Sequence, residues 1–161
     1  MPDFTVSHLQ AGQIAEAYAL VRMAAPEVEP ERWQAFADSQ LGRHGGVLGV
    51  FAGDSTLHGV AAYRPDESLR HGRTLRVDTI VTFELNRSAP AREALCEALA
   101  LLGRALDCAS VTVAMPGRGY ADPASAKAAP WSALGLALDA VLFVKKLPQA
   151  VRRTEAAAAT A

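Results

Sequence analysis

The chain is poor in cysteine, in aromatic residues and in net charge. Its 161 residues include two cysteines, Cys96 and Cys108, and 6% Phe, Trp and Tyr. Two thiols without C-x-x-C spacing do not form a disulfide framework, so buried free thiols are expected. The 16 basic and 17 acidic residues leave a formal charge of -1. Because nucleic-acid binders are usually basic, we expect no nucleic-acid partner.

Membrane, export and metal signals are also missing. No stretch approaches the roughly 18 apolar residues that a membrane span needs. The start, MPDFTVSHLQ, lacks the basic and apolar regions of a secretory signal. The four histidines are scattered, with no pair four residues apart and no cysteine or carboxylate at ligand spacing. These absences predict a cytoplasmic protein with no membrane partner and no metal.

The chain does contain a regular succession of strand and helix patterns. Half of its residues are hydrophobic, which suits a single buried core. We expect one domain over 1–148 and a flexible tail over 149–161, which has no aromatic or branched aliphatic residue after Val151. A polar loop is predicted over 65–72. Strand patterns cover 3–9, 47–52, 57–63, 74–85, 111–115 and 138–147, and helical patterns cover 10–25, 30–42, 89–106 and 123–129.

Three segments carry a resemblance to a known family. They are the strand and helix over 77–106, the short strand SVTVAM, and the ending ALGLALDAVLFVKKL. With the element order β, α, α, β, β, β, α, β, α, β, the chain from about Asp3 to Leu147 resembles the GNAT superfamily of N-acyltransferases. The resemblance implies an α+β fold. Its mixed, mostly antiparallel sheet would splay open between strands four and five and be flanked by helices.

The same resemblance implies a site for acetyl-CoA or another acyl-CoA. The family turn Arg/Gln-x-x-Gly-x-Gly/Ala lets backbone N–H groups at a helix N-terminus approach the pyrophosphate. Pro90 removes an N–H donor here, and Arg92 either fills the cradle or pairs with a phosphate. Backbone groups around Thr82 and Phe83 are expected to pair with pantetheine. The residues expected to face the pyrophosphate are Arg87, Ser88, Ala89, Pro90, Ala91 and Arg92.

Acid and base candidates follow from the same comparison. In many family members a tyrosine lies four residues before the glycine that Gly135 matches, and it protonates the leaving thiolate. This chain has Trp131 at that position, and its indole is a poor acid. Tyr120 is the nearby phenol. Asp78 and Glu84, six residues apart on one predicted strand, should share a face, and either carboxylate can take a proton from the amine. The alternative is a solvated strand face paired with Arg76.

The resemblance implies transfer of an acetyl or other acyl group from acyl-CoA to an amine of a small molecule or peptide. Pro90, Arg92 and Trp131 motivate an alternative, a catalytically impaired GNAT-fold protein that serves as a ligand-binding or protein-interaction module. Pairing of the sheet with a second copy through its terminal strand, which would make a homodimer, is compatible with both.

Overall fold

Five strands form one mixed sheet whose order in space follows the order in sequence. The structure is a computed structural model and describes residues 3–84 and 88–148. Neighbouring strands from the first to the fourth are antiparallel, and the fifth is parallel to the fourth. The predicted α+β class and mixed sheet are confirmed. The strands are β1 (Thr5–His8), β2 (Gly46–Phe51), β3 (Leu57–Ser68), β4 (Gly72–Thr82) and β5 (Ser110–Val113).

Helices cover both faces of this sheet. On one face lie α1 (Ala11–Glu16), α2 (Tyr18–Ala24) and α3 (Pro30–Gly42), whose buried side chains include Ile14, Val21 and Trp33. On the other face lies α4 (Pro90–Ala105), where Leu95 and Leu99, one turn apart, are buried against the strands. The helices predicted over 10–25, 30–42 and 89–106 are confirmed, although the first is interrupted at Ala17. Alternate residues of the central strands therefore face two separate layers of core.

The predicted loop over 65–72 is wrong, because β3 continues through most of it. Strand pairing between β3 and β4 runs from Gly59–Thr82 to Ser68–Gly72. Pro65 argues against a strand in the sequence, because proline has no backbone N–H to donate to a strand ladder. However, β2 stops pairing with β3 at Gly46–Tyr63, so in the described part of the chain no strand pairs with β3 on that side at Pro65. The missing N–H is tolerated at such an edge.

The end of the described chain also departs from the prediction. The helix expected over 123–129 is replaced by turns, in which the side chains of Asp122 and Ser125 accept the backbone N–H groups of Ala124 and Ala128 at 2.9 and 3.1 Å. Such side chains compete with helical hydrogen bonding. A short helix, α5 (Ala129–Ala133), follows. The strand expected over 138–147 is not formed in the described part of the chain. The predicted tail over 149–161 lies outside the described residues.

Candidate functional site

A gap opens in the sheet where β4 and β5 diverge. The two strands pair only from Thr74–Ser110 to Val77–Val113. The last bond runs from the Ala114 N–H to the Val77 carbonyl, at 2.9 Å. Because β4 continues to Thr82, residues 78–82 have no partner on the β5 side within the described ranges. The predicted splay between the fourth and fifth strands is confirmed.

Backbone groups of β4 point into this gap. The Phe83 N–H donates to the His58 carbonyl at 2.7 Å, on the β3 side. In an antiparallel ladder, residues bonded to the partner alternate with residues whose N–H and C=O point away from it. The register through Gly59–Thr82 therefore directs the backbone groups of Thr82 and Ile80 towards the gap. Of the two residues predicted to pair with pantetheine, Thr82 presents its backbone there, whereas the N–H of Phe83 is engaged with β3.

A β-bulge in β4 changes which side chains share a face. Ala62 pairs with Thr79 and Tyr63 pairs with Val77, so Asp78 is an extra residue. Before the bulge Val77 faces the α4 core, and after it Ile80 faces that core while Val81 faces the α1–α3 core. The expectation of one continuous alternation over 74–85, with Asp78 and Glu84 on the same face, is wrong. The sequence has no signal for the inserted residue.

Asp78 lies between two arginines on the α3 side of the sheet. Arg76 Nε donates to Asp78 Oδ1 at 2.7 Å, and the Arg64 guanidinium donates to Oδ2. Arg64 also donates to Gln40 Oε1 of α3 at 3.3 Å. The hydrogen bond to Asp78 raises the pKa of the Arg76 guanidinium. Both carboxylate oxygens are thus held by cations. The sequence analysis did not identify Arg64 as a partner of Asp78, because the strand predicted over 57–63 ends one residue before it.

Glu84 lies on the opposite side, against the first turn of α4. Its Oε1 accepts the backbone N–H of Arg92 at 2.7 Å. The residue before the helix, Ala89, has left-handed backbone angles, φ 47° and ψ 53°. The first N–H groups of a helix have no partner within the helix and attract negative charge. The Glu84 carboxylate is therefore an anion bound at the position where the resemblance implies a pyrophosphate.

The side chain of Arg92 packs on α5. Its Cζ lies 5.1 Å from the ring centroid of Trp131, which is a cation–π geometry. Its Nε is buried and makes no hydrogen bond within the described chain. Beside it is a cavity of about 140 Å³, whereas sites for drug-sized ligands occupy roughly 300–1,000 Å³. This cavity is lined by Ser88, Ala89, Arg92, Pro130, Ala133 and Leu134.

Tyr120 is in the loop between β5 and α5. It is half-buried, and the Lys127 ammonium lies 5.9 Å from its ring centroid. Across the ranges 3–84 and 88–148, no hydrogen bond joins Tyr120, Asp78 and Glu84 to one another. The three predicted catalytic residues are in separate environments. Arg87, predicted to face the pyrophosphate, lies outside the described residues.

Comparisons with known proteins were made at the levels of sequence and structure. No family model and no curated protein matches the chain. The aminoglycoside N-acetyltransferase AAC(6')-Iy in complex with CoA superposes with a TM-score of 0.74, at 14% identity, over 91% of this chain and 96% of that one. The chain has the GNAT fold.

Further solved GNAT structures agree. The aminoglycoside 6'-N-acetyltransferase AAC(6')-Ih from Acinetobacter baumannii has a TM-score of 0.73 at 12% identity, over 91% of this chain and 100% of that one. Glucosamine-6-phosphate N-acetyltransferase from Arabidopsis thaliana has a TM-score of 0.64 at 10% identity, over 91% of this chain and 99% of that one. At these identities the similarity establishes the fold.

Within this GNAT fold, the hydrogen bond from the Arg92 N–H to Glu84 joins the end of β4 to the α4 N-terminus, which the sequence analysis assigns to one site. The sequence analysis missed α5, which lines the cavity beside Arg92, because the alanine-rich pattern predicts a helix six residues too early. Among residues 3–84 and 88–148, no cluster of three or more His, Cys, Asp and Glu side chains is arranged to hold a metal ion. In the same ranges, no helix is long and apolar enough to cross a membrane.

Proposed function

We propose that this chain is an N-acyltransferase that moves an acetyl or other acyl group from acyl-CoA to an amine of a small molecule or peptide. The observation that carries the proposal is the open edge of β4, where the backbone groups of Ile80 and Thr82 face the gap. A fixed N–H in such a gap can stabilise the oxyanion that forms when an amine attacks a thioester. The solved relative in complex with CoA supports this choice of co-substrate.

The donor set at the α4 N-terminus fits a pyrophosphate. An anion, the Glu84 carboxylate, already accepts the Arg92 N–H there, so the position binds negative charge. The guanidinium of Arg92 borders the adjoining cavity and would add a charged donor, as would Arg87 from the family motif. The backbone of Thr82 would hold the pantetheine amides. Acyl-CoA supplies the activated acyl group and the thiolate that leaves.

We propose that catalysis rests on positioning and on backbone donors more than on a dedicated base. Both predicted bases have other contacts, Asp78 with two arginines and Glu84 with α4. A general acid or base contributes typically 10²–10⁴-fold. Asp78→Asn, Glu84→Gln and Tyr120→Phe should therefore each lower kcat by less than about tenfold. A loss of about a hundredfold in one variant would assign that residue a proton-transfer role.

Binding and turnover are tested by two measurements. A ligand that binds only the folded state stabilises it by about 2.7 kcal/mol at a hundred times its Kd. Because 1 kcal/mol shifts Tm by roughly 2–4 °C at this chain length, CoA or acetyl-CoA should raise Tm by roughly 5–10 °C. Pantetheine, which lacks the pyrophosphate, is the control. Release of the CoA thiol with a panel of amines then reports transfer. Failure of every CoA thioester to shift Tm contradicts the proposal.

Two observations favour a second candidate, a GNAT-fold module that binds a ligand or protein without acyl transfer. The anion position is held by Glu84, and the adjoining cavity of about 140 Å³ is small. A Tm shift with CoA and no thiol release across the amine panel would support a ligand-binding module. Thiol release that depends on an amine excludes it.

A further inference from the structure

Arg76 presents an exposed fork of N–H donors on the α3 side of the sheet. Its Nε donates to Asp78 at 2.7 Å, and in the ranges 3–84 and 88–148 its two Nη groups make no hydrogen bond. Asp66 Oδ2 lies 3.8 Å from Nη1, beyond hydrogen-bond distance. The Arg76 side chain is 42% exposed, whereas that of Arg64 is 14% exposed. Two adjacent Nη groups are the fork that binds a carboxylate through two parallel hydrogen bonds.

The contact with Asp78 places this fork at the closed end of the gap between β4 and β5. The last bond between the two strands runs from Ala114 to Val77, so Asp78 is the first residue of β4 beyond it. Because Arg76 and Arg64 both donate to the Asp78 carboxylate, the two guanidinium groups lie there as well. α4 packs on the opposite face of the sheet. The fork therefore faces the side of the gap that α4 leaves open.

The length of a pantetheine arm connects the fork to the proposed reaction. The inference rests on the proposed function, in which the phosphates lie at the α4 N-terminus beside Glu84. An extended chain spans roughly 1.2 Å per bond, so the roughly twelve bonds from phosphate ester oxygen to sulfur span about 14 Å. At about 3.3 Å per residue, this is between four and five residues of a strand. Counted back along β4 from Glu84, the arm reaches Thr79 and Ile80, next to Asp78.

The charges around the fork indicate the class of acceptor. Two arginines, Arg64 and Arg76, are balanced by two carboxylates, Asp66 and Asp78. An amine alone adds a positive charge and a phosphate monoester adds roughly two negative charges, whereas one amine with one carboxylate keeps the balance. We propose that the acceptor is an amino acid, whose free carboxylate binds the Nη fork of Arg76 and thereby holds the amine at the thioester. Arg76 then determines the acceptor specificity.

The transfer balances without a further reactant. The bound ammonium loses one proton to solvent, and the nitrogen lone pair forms the C–N bond to the acyl carbon. The C–S bond breaks with its electron pair on sulfur, and the thiolate takes the proton that the new amide nitrogen releases. The products are an N-acyl amino acid and the CoA thiol.

Matched acceptors test the fork in the wild-type protein. Thiol release at saturating acetyl-CoA is measured with the standard amino acids and with the carboxamide of each. The carboxamide has the weaker base, so more of its amine is neutral and nucleophilic, and this bias opposes the expected result. The best amino acid should exceed its carboxamide by roughly 10–100-fold in kcat/KM, because a charge-assisted pair is lost. Equal values overturn the proposal, as does a preference for O-phosphoethanolamine over every amino acid.

Substitution of the fork tests the residue. Arg76→Gln should raise KM for the best amino acid by roughly 10–100-fold, with KM for its carboxamide and Kd for CoA nearly unchanged. Arg76→Lys keeps the charge but loses the fork, so its KM should fall between. Arg70→Gln, at a side chain that is 68% exposed on the β3–β4 turn, is the matched control and should keep the wild-type preference. An undiminished preference in Arg76→Gln overturns the proposal.

Calorimetry with amino acids in excess CoA measures acceptor binding without turnover, so the two proposals fail separately. Binding that depends on the carboxylate and on Arg76, with no thiol release from acetyl-CoA, supports the fork and contradicts acyl transfer. Thiol release that does not depend on a carboxylate supports acyl transfer and overturns the fork. Neither binding nor turnover of any amino acid also overturns it.

Discussion

The contact between Glu84 and the first turn of α4 should oppose the binding of CoA. Glu84→Gln keeps an oxygen that can accept the Arg92 N–H but removes the negative charge. A carboxylate at a helix N-terminus stabilises the helix by about 0.3–1 kcal/mol. The variant should therefore lose about that much free energy of unfolding, which lowers Tm by a few degrees at most.

Glu84→Gln should strengthen the binding of CoA although it lowers the free energy of unfolding. Two unit negative charges about 6 Å apart repel each other by roughly 3 kcal/mol at an effective dielectric constant of 20. Salt and movement of the glutamate reduce this, so we expect a gain of about 1–2 kcal/mol in the binding free energy of CoA. Since about 1.4 kcal/mol is a factor of ten, CoA should bind roughly 5–30-fold more tightly to Glu84→Gln.

Titration calorimetry with CoA checks this prediction. The matched control is Glu93→Gln, because Glu93 is an exposed acidic residue in the first turn of the same helix and its loss changes the net charge equally. That variant should bind CoA nearly as the wild type does. If Glu84→Gln binds CoA no more tightly than Glu93→Gln, the carboxylate does not occupy the phosphate position and the reasoning is refuted.

Three further predictions concern stability and reactivity. Asp78→Asn should lower the free energy of unfolding in urea by about 1–3 kcal/mol, because it removes the charged acceptor of the half-buried Arg64 guanidinium and of the more exposed Arg76. Asp66→Asn, at a carboxylate that is more exposed, should cost less, and equal losses would contradict the role assigned to Asp78. A double-mutant cycle of Arg92→Ala and Trp131→Ala should give a coupling of about 0.5–1 kcal/mol, and zero coupling would mean that the stacked geometry has no energetic weight. Burial raises the pKa of the Cys96 thiol, so the reactive thiolate is scarce at neutral pH. Alkylation of Cys96 in the folded protein should be slow at neutral pH and should accelerate only as the pH rises past the pKa of an ordinary thiol. Fast alkylation near neutral pH would contradict this.

The order of the elements was predictable because it depends on patterns that the sequence carries, whereas the gap between β4 and β5 was expected from the family resemblance. Apolar runs bounded by glycine and polar turns predict β2 and β3, and the stripe through Leu95 and Leu99 predicts α4. With a connecting helix between β4 and β5, a parallel pair is the expected topology. The extension of β3 past Pro65 was not predictable, because it depends on where β2 stops pairing, which is a tertiary property.

The local geometry of the candidate site was less accessible. The bulge at Asp78 inserts one residue into a pattern that reads as regular alternation, and it separates two carboxylates that the sequence places together. Arg64 becomes a partner of Asp78 only once β3 is long enough to lie opposite Arg76. The turn after Asp122 depends on the hydrogen bond that its side chain accepts from the Ala124 N–H. Alanine content alone does not tell whether such a bond outweighs the helix propensity of the segment.

The residues at which the chain departs from the motif of the family it resembles contact one another. Arg92, where the resemblance implies a small residue, stacks on Trp131, where it implies a tyrosine, and Pro90 begins the helix whose Arg92 N–H is bound by Glu84. Their contact here indicates that the α4 N-terminus and α5 are fitted to each other. The chain is nearly neutral overall, so the proposed recognition of the CoA phosphates relies on this local group of residues rather than on a general positive field.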